Sequence, residues 1–270
     1  MAVRRGPCDH AAGMELPART ELEGIAADAG TLALRHFQHV ASERKADRTL
    51  VTAADREVEA FLVRELGSRL PEAGILGEEG TVRGGPGPYR IVLDPIDGTA
   101  AFVAGLPTWC VCIGVLRGDE PIAGVVHLPC FRETYSAAGG EAWWNGSRLP
   151  RLGMVPLSDG DRFIVAHAKA HLRHRIRYPG KVRSFGSSAY HAALVARGVA
   201  EAGLLGHVHL WDLAAAGAVL GAVGGCFVYL SSGAPVDFGP LADGRRAPGY
   251  VVAGRPETLP RLLPELDARA

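Results

Sequence analysis

The pattern of apolar runs changes between residues 145 and 160, and this change limits the folds open to the chain. From residue 89 to 144 the runs are short, rich in β-branched and aromatic residues and separated by turn residues, as in an antiparallel meander. From about residue 162 onward, strand-like runs alternate with helical segments, which is typical of α/β structure. The chain is therefore predicted to form a layered α+β protein whose two halves meet in this interval.

Three segments are expected along the chain. Residues 1–18 form a ragged N-terminus that lacks the apolar core of a signal peptide. Residues 19–150 form an α+β domain with an antiparallel sheet, and residues 151–270 form an α/β domain with the substrate pocket. Apolar stripes with helical period predict two helices in the first domain, at 21–37 and 52–70.

Charge and cysteine content exclude several classes of partner. Lysine plus arginine and aspartate plus glutamate number 29 each, so no net charge favours binding to nucleic acid or to an anionic membrane.

The five cysteines are odd in number and share no repeated spacing, which argues against a disulfide framework, and Cys110 and Cys112 are predicted to be buried thiols. The apolar stretch 213–230 is divided by Gly224-Gly225, which predicts a buried helix, a turn and a strand rather than a membrane span. We expect a cytoplasmic protein.

Two carboxylates, Asp94 and Asp97, end an apolar strand in the stretch IVLDPIDGTAAF. Burying paired carboxylates is costly unless a cation or hydrogen bonds compensate. Three further acids, Glu78, Asp55 and Asp212, also stand at the ends of predicted elements. Converging oxygen ligands without a Cys or His ligand beside them suit a hard cation such as Mg²⁺.

Such a site has a definite chemistry. Metal ions that share Asp94 could hold a phosphate and lower the pKa of a bound water. Gly98 and Thr99 would open a helix whose free N–H groups point at the phosphate oxygens. A threonine hydroxyl held by a carboxylate is a suitable relay for the proton of that water.

On these residues the chain resembles the inositol monophosphatase superfamily of metal-dependent, lithium-sensitive phosphomonoesterases. Its two signature blocks are similar to LDPIDGTAAF and WDLAAAGAVLGAVGG here. The flanking blocks, Lys45 ahead of LVTAAD, ILGEEG and FGSSAYHAALVARG, follow in the same order over roughly residues 20–255. The resemblance implies an αβαβα layered sandwich of the inositol monophosphatase/fructose-1,6-bisphosphatase type, usually homodimeric, with two to three Mg²⁺ ions per active site.

The resemblance also implies roles for individual residues. Asp94 would be shared between the first two metal ions, and a third, weaker ion would bind Glu78 through water. Asp55 and Thr99 resemble the pair that activates the nucleophilic water, while Gly98 and Thr99 supply backbone amides to the phosphate. The full set of implied metal ligands is Glu78, Asp94, the carbonyl oxygen of Ile96, Asp97 and Asp212.

Departures from the resemblance lie in the part that recognises the substrate. Inositol phosphatases carry a glutamate seven residues before the aspartate of the Trp-Asp pair, where this chain has Leu205, and Glu201 stands where an aspartate is usual. Ser188 is a further candidate for substrate contact, and FVAGLPTW resembles relatives that act on histidinol phosphate. We therefore predict a Mg-dependent phosphomonoesterase whose small-molecule substrate is not inositol phosphate. Histidinol phosphate and a nucleotide 3′-phosphate are alternatives.

Several of these residues also have a purely structural interpretation. Asp55 completes a capping-box variant that begins at Thr52, and Asp212 suits the first turn of a helix. His167, His171 and His174 fall at i, i+4 and i+7 and would line one helical face, as in a zinc site. Interleaved lysine and arginine residues make a solvated basic rim the preferred interpretation of that segment.

Two other function classes compete with a water-attacking phosphatase. An aspartyl-phosphate phosphatase needs a nucleophilic aspartate two residues before Asp97, where this chain has Pro95. A non-enzymatic regulator that binds a metal or a ligand would be expected to have lost at least one ligand, yet all the implied ligands are present. A nucleotide-binding module is disfavoured because the sequence has no Gly-x-x-x-x-Gly-Lys loop.

Overall fold

The computed structural model of the chain describes residues 15–39, 42–44, 50–153 and 161–266. Lys45, most of the predicted N-terminal segment and residues 154–160 at the predicted boundary lie outside the described residues. The α-helices are α1 (Arg19–Leu34), α2 (Ala53–Arg69), α3 (Thr99–Val103), α4 (Ala170–Arg173), α5 (Ser188–Ala196), α6 (Leu210–Ala222) and α7 (Leu259–Leu262). The strands are β1 (Ser42–Arg44), β2 (Leu50–Thr52), β3 (Gly74–Gly77), β4 (Val82–Arg83), β5 (Tyr89–Asp97), β6 (Cys110–Arg117), β7 (Glu120–Leu128), β8 (Glu133–Ala138), β9 (Glu141–Trp144), β10 (Ser147–Arg148), β11 (Phe163–Ala166), β12 (Lys181–Arg183), β13 (Gly203–Leu205), β14 (Cys226–Tyr229) and β15 (Val251–Gly254).

The first large sheet has eight strands in the order β10-β9-β8-β7-β6-β5-β3-β4. Strands β5 to β10 are successive antiparallel neighbours, which confirms the predicted meander. Strand β3 instead runs parallel to β5, because the chain reverses direction through β4, which pairs antiparallel with β3, before β5 begins. The carboxyl ends of β3 and β5 therefore lie side by side.

The second sheet has five strands in the order β12-β11-β13-β15-β14. Strands β12 and β13 run parallel to β11, whereas β15 is antiparallel to both β13 and β14. Strand β13 leads into the start of α6, so the beginning of that helix lies at the carboxyl edge of the parallel strands. Ligands commonly bind at this edge of α/β sheets.

Apolar faces pack these elements into five layers. Helices α1 and α2 cover one face of the eight-stranded sheet, and α5 and α6 lie between the two sheets. Helices α4 and α7 cover the outer face of the five-stranded sheet. The αβαβα sandwich expected from the sequence is therefore confirmed.

Helices α2 and α6 begin and end close to where their sequences indicate, whereas α1 ends at Leu34, three residues before the predicted end at 37. Helix α2 buries Val58, Leu62 and Leu66 completely along one stripe, and its N-cap residue Thr52 accepts a hydrogen bond from the backbone N–H of Ala54. Helix α6 is alanine-rich and buried along most of its length, and it ends before Gly224, which adopts a φ of 88°. Within the described residues, no helix combines the length and the apolar character needed to cross a membrane.

The histidine segment 167–174 differs from its prediction. Helix α4 is a single turn, so His167 and His174 lie on either side of it and do not share a helical face with His171. His174 is buried, and its ring packs edge-on against Tyr250 at 4.3 Å between centroids. The interpretation as a solvated basic rim is therefore wrong for His174, because an aromatic cluster buries its ring.

Candidate active site

A β-bulge in β5 explains the two acids at its end. Asp94 pairs with Cys112 and Asp97 with Cys110, so three steps along β5 correspond to two along β6. In a regular strand residues three apart point to opposite faces, whereas the extra residue turns Asp94 and Asp97 to the same face. Pro95 lies within the bulge and lacks the N–H that a regular ladder would need. Both carboxylates thus face the layer that contains α5 and α6.

Asp212 joins this pair from the first turn of α6. Three carboxylate oxygen atoms lie within 4.8 Å of one another, one each from Asp94, Asp97 and Asp212. The backbone N–H of His209 donates to Oδ2 of Asp212 at 2.6 Å, and the His209 ring stacks on Trp211. The start of α6 therefore fixes the Asp212 carboxylate opposite the end of β5. We name Asp94, Asp97 and Asp212 the acid cluster.

The electrostatics of the acid cluster favour a bound cation. Burial raises the pKa of Asp94 well above its usual value, and repulsion from Glu78, Asp97 and Asp212 raises it further. Burial and the nearby Asp212 raise the pKa of Asp97 to about 7, although three hydrogen bonds oppose that shift. Like charges held this closely are stabilised by a cation between them. The acid cluster offers only oxygen ligands and so fits a hard divalent ion such as Mg²⁺.

Asp97 is held by the N-terminus of α5. Oδ2 of Asp97 accepts hydrogen bonds of 2.6 Å from the Ser187 hydroxyl and 2.6 Å from the backbone N–H of Ala189. The backbone N–H of Ser188 donates to Oδ1 at 3.3 Å. Ser187 is also the N-cap residue, since its oxygen accepts from the N–H of Tyr190 at 3.0 Å. The sequence indicates the N-cap, but not that this end of the helix binds Asp97.

Glu78 lies in the turn that follows β3. Its backbone N–H donates to the carbonyl oxygen of Leu93 at 3.2 Å, which places it beside the end of β5. Sequence reasoning missed a buried residue below this turn, Glu59 of α2. The Glu59 carboxylate accepts from the backbone N–H groups of Glu79 at 2.7 Å and Thr81 at 3.1 Å. The two glutamates thus differ: Glu78 is near enough to raise the pKa of Asp94, and Glu59 holds the turn.

Asp55 and Thr99 lie at the starts of two neighbouring helices. Oδ2 of Asp55 accepts from the backbone N–H of Thr52 at 2.7 Å and from its hydroxyl at 2.6 Å, so the predicted capping box is present. The Thr99 hydroxyl donates to the carbonyl oxygen of Ile96 at 3.2 Å. Helix α3, which begins at Thr99, packs against β2, which ends at Thr52. The proposed roles of Asp55, Thr99 and the Ile96 carbonyl stay predictions.

Gly98 connects the acid cluster to α3 in a conformation that favours glycine. It has a φ of 98°, and a Cβ atom there would lie 3.1 Å from the carbonyl oxygen of Gly186. The Gly98 carbonyl accepts from the N–H groups of Ala101 and Phe102. The backbone of β5 can therefore turn into α3 directly beside the start of α5.

The predicted substrate residues are dispersed. Ser188 lies at the acid cluster through its backbone N–H. Glu201 does not join it, because its buried carboxylate accepts from Arg162 at 3.0 Å and from the Tyr178 hydroxyl at 2.7 Å. Leu205 is fully buried in the core between the two sheets. The contact of Glu201 with substrate stays a prediction, and in the structure this carboxylate is already engaged by hydrogen bonds within the protein.

Two thiols lie beside the acid cluster. The sequence does not predict them there, because it indicates oxygen ligands alone. The Cys110 thiol donates to Oδ2 of Asp97 at 3.7 Å, and its sulfur lies 3.3 Å from the Ser187 hydroxyl oxygen. Cys110 and Cys112 are both fully buried, as predicted. Burial raises the pKa of both thiols.

Comparison with known proteins agrees with this arrangement. Residues 17–268 match the inositol monophosphatase family. The inositol-1-monophosphatase ImpA of Mycolicibacterium smegmatis is 34% identical over 209 residues, which cover 71% of this chain and 74% of that protein. The fructose-1,6-bisphosphatase/inositol-1-monophosphatase of Aquifex aeolicus is 29% identical over 244 residues, which cover 84% and 90% of the two chains.

Solved structures share the fold. The structure of the inositol monophosphatase (IMPase) of Thermotoga maritima superposes with a TM-score of 0.79 at 25% sequence identity, over 92% of this chain and 96% of that one. With the sequence match over nearly its whole length, the chain belongs to the inositol monophosphatase family.

Proposed function

We propose that the chain is a Mg²⁺-dependent phosphomonoesterase that hydrolyses a small-molecule phosphate ester by direct attack of water. The observation that carries this proposal is the convergence of three carboxylates, Asp94, Asp97 and Asp212, in a largely buried site. Membership of a phosphatase family supports the reaction class. Pro95, which stands where an aspartyl nucleophile would be needed, supports attack by water rather than by the protein.

The residues that would hold metal are the acid cluster together with Glu78 and the Ile96 carbonyl oxygen. When bound there, Mg²⁺ supplies charge neutralisation of the phosphate and activation of water. The protein's own contribution is to hold the ligands rigidly, through Ser187 for Asp97 and His209 for Asp212. A preorganised charged site of this kind accelerates a reaction because it needs no rearrangement in the transition state.

Proton transfer is proposed for Asp55 and Thr99. The Asp55 carboxylate is fixed by two hydrogen bonds from Thr52, which leaves its orientation independent of substrate. The Thr99 hydroxyl would accept the proton of the attacking water and donate its own proton to Asp55. For this step the hydroxyl hydrogen would turn away from the carbonyl oxygen of Ile96, to which it is bonded in the structure. The backbone amides of Gly98 and Thr99 would bind phosphate oxygens.

The proposed substrate carries an aromatic ring rather than a polyol. Leu205 is buried and apolar, so it offers no carboxylate to sugar-like hydroxyls. The carboxyl edge of β11 and β13 instead holds packed rings: His167 stacks on Tyr250 at 5.4 Å between centroids, and His207 packs against it at a tilt at 5.3 Å. A planar, nitrogen-containing alcohol suits such an edge, which supports histidinol phosphate or a nucleotide 3′-phosphate over inositol phosphate.

The test is release of inorganic phosphate from a panel of esters, with Mg²⁺ and with excess chelator. The panel contains histidinol phosphate, nucleotide 3′-phosphates, inositol 1-phosphate and fructose 1,6-bisphosphate, the last two because the named relatives are described as acting on them. We expect chelator-sensitive release that is fastest with histidinol phosphate or a nucleotide 3′-phosphate, the esters that carry an aromatic ring. Release that survives chelation would overturn the metal-dependent mechanism, and no release from any ester by folded, Mg²⁺-loaded protein would favour a binding regulator.

Two further properties complete the proposal. Lithium is expected to inhibit phosphate release, and the protein is expected to be a homodimer, as the resemblance implies. Sedimentation velocity of the full chain tests the second expectation directly. A monomer at assay concentration with full activity would remove the dimer from the proposal without affecting the acid cluster.

A further inference from the structure

Asp97 belongs to two separate groups of possible metal ligands. One is the acid cluster, which offers only oxygen atoms. The other consists of Asp97, Cys110 and Cys112, whose ligand atoms also lie within 4.8 Å of one another. Cys110 and Cys112 are alternate residues of β6, so their side chains lie on the same face, and Cys110 pairs with Asp97 across the ladder. We name this second group the thiol site.

Two of the three distances between ligand atoms in the thiol site match those of a tetrahedral thiolate centre, and the third, between Cys112 and Asp97, is within 4.8 Å. The two sulfur atoms are 3.7 Å apart, and the Cys110 sulfur is 3.7 Å from Oδ2 of Asp97. Two thiolates that bind one zinc ion at about 2.3 Å each are separated by about 3.8 Å in tetrahedral geometry. A sulfur and a carboxylate oxygen on the same ion are separated by about 3.6 Å. The side chains therefore need little movement to close on an ion.

The two groups differ in the cation they prefer. Thiolate ligands favour soft or borderline ions such as Zn²⁺ and Cd²⁺, whereas carboxylates alone favour Mg²⁺. The thiol site is fully buried, but Asp97 connects it to Asp212, which is partly exposed to solvent. An ion that reaches the acid cluster therefore has a short path to the thiols. The Ser187 hydroxyl, 3.3 Å from the Cys110 sulfur, is a further oxygen beside the site.

We propose that Asp97, Cys110 and Cys112 bind one thiophilic divalent cation, such as Zn²⁺ or Cd²⁺, in competition with the hard ion of the acid cluster. Binding exchanges the protons of the two thiols for the cation. Because Asp97 serves both groups, an ion in the thiol site removes a ligand from the acid cluster. The resulting inhibition rests on the proposed phosphatase function, whereas binding itself does not.

The binding test uses Cd²⁺ with metal-free protein and follows the ultraviolet charge-transfer absorption of cadmium thiolates, which carboxylates alone do not produce. The key variant, C8S/C130S/C226S, keeps only Cys110 and Cys112. We expect it to give the full absorption change with one Cd²⁺ per chain and a higher unfolding temperature with the ion. Added Mg²⁺ should raise the Cd²⁺ concentration needed for half the signal.

The matched variant C110A/C112A keeps the other three thiols and should lose the signal. Absorption that persists in this variant, or is missing from the three-serine variant, would overturn the proposal and show that the two thiols only pack against each other. Should C110A/C112A fail to fold, the three-serine variant decides alone. In that variant, an absorption change without a rise in unfolding temperature would also overturn the proposal, because it would show that Cd²⁺ does not bind the native state.

The inhibition test follows phosphate release in Mg²⁺ with increasing Zn²⁺. The variant Cys112→Ala should need at least about tenfold more Zn²⁺ for half inhibition. Equal Zn²⁺ sensitivity in this variant and the unchanged protein would contradict competition through Asp97. If no ester is hydrolysed, the spectroscopic result still stands, so failure of the phosphatase proposal and failure of the thiol site are distinguishable.

Discussion

The Ser187 hydroxyl donates a 2.6 Å hydrogen bond to Oδ2 of Asp97, and this bond joins the two halves of the chain at the acid cluster. Asp97 ends β5 of the eight-stranded sheet, and Ser187 caps α5 in the helical layer between the sheets. Both side chains are buried. The orientation of a ligand from the first half is therefore set by a residue of the second half.

Replacement of Ser187 by alanine tests this relationship. Ser187→Ala removes a hydrogen bond to a charged group, which contributes about 1.5–3 kcal/mol, and an N-cap worth about 1 kcal/mol of stability. We expect the Mg²⁺ concentration for half-maximal phosphate release to rise about tenfold. Ser187→Thr keeps both functions of the hydroxyl, so its half-maximal Mg²⁺ concentration should equal that of the unchanged protein.

A control separates this effect from loss of a hydroxyl in general. Ser68 donates to the carbonyl oxygen of Glu65 on the exposed face of α2, so Ser68→Ala should leave the Mg²⁺ dependence unchanged. An unaltered Mg²⁺ dependence in Ser187→Ala would show that the two N–H groups of α5 hold Asp97 without the hydroxyl.

Asp94→Asn is expected to have opposite effects on activity and on metal-free stability. The amide removes the charge that the proposed metal ions share, and loss of several kcal/mol of transition-state stabilisation lowers the rate by about 10³-fold or more. The same change removes a buried carboxylate that Glu78, Asp97 and Asp212 repel. The unfolding temperature in chelator should therefore rise. Near-native turnover, or a lower unfolding temperature in chelator, would contradict the assignment of Asp94.

The stability of the metal-free protein should depend on pH through the acid cluster. The folded pKa of Asp97, about 7, lies above the ordinary value of an aspartate near 3.9. A group with a raised folded pKa adds stability when protonated, so this contribution is lost as pH rises through about 7. In chelator, the unfolding temperature should fall between about pH 4 and about pH 7, where Asp97 is ionised in the unfolded state but protonated in the folded state, and should level off above pH 7. Saturating Mg²⁺ should reduce or reverse this trend, and an identical pH dependence with and without Mg²⁺ would count against ion binding at Asp97.

Much of the fold could be predicted because its signals are local. The stripe Val58, Leu62 and Leu66 identifies α2, and the turn-separated short runs from β5 to β9 identify the meander. The acids could also be predicted, since each stands at the end of an element. Their position at element ends suggested that they converge, and the resemblance supplied which metal ion each would bind.

The parts that sequence reasoning missed depend on partners distant in the chain. Nothing local to Glu201 indicates that Arg162 and Tyr178 bind its carboxylate. The bulge at Pro95, which brings Asp94 and Asp97 to one face, depends on the register with β6. The histidine prediction failed for the same reason, because Tyr250 packs against His174 from a later strand region. Local periodicity carries no information about such contacts.

The role of the Thr99 hydroxyl is tested by two substitutions. Thr99→Ala removes the proposed proton relay, so turnover should fall about 10²-fold or more, while the Mg²⁺ dependence changes little. Thr99→Ser keeps the hydroxyl and the bond to Ile96 and should retain most of the turnover. Steady-state kinetics at several Mg²⁺ concentrations separates the two effects. A loss of Mg²⁺ affinity without a loss of turnover at saturation would make Thr99 a support for the Ile96 carbonyl instead.

Glu59 is expected to position Glu78 without touching the substrate. Its buried carboxylate accepts from the N–H groups of Glu79 and Thr81, so it holds both sides of the turn that begins at Gly77. Glu59→Gln places an amide NH₂ against one of these donors, and a buried donor without an acceptor costs about 1–3 kcal/mol. We expect weaker Mg²⁺ activation with turnover largely recovered at saturating Mg²⁺.

Gly77→Ala provides an independent change at the same contact. A Cβ atom at this position would lie 2.5 Å from the carboxylate of Glu59, so the alanine must displace that side chain. The variant should reproduce the Mg²⁺ defect of Glu59→Gln. Glu57→Gln on the exposed side of α2 is the control, because its pair with His36 is a surface contact of little energetic value. If Gly77→Ala and Glu59→Gln lower stability but leave Mg²⁺ activation unchanged, the turn does not set the position of Glu78.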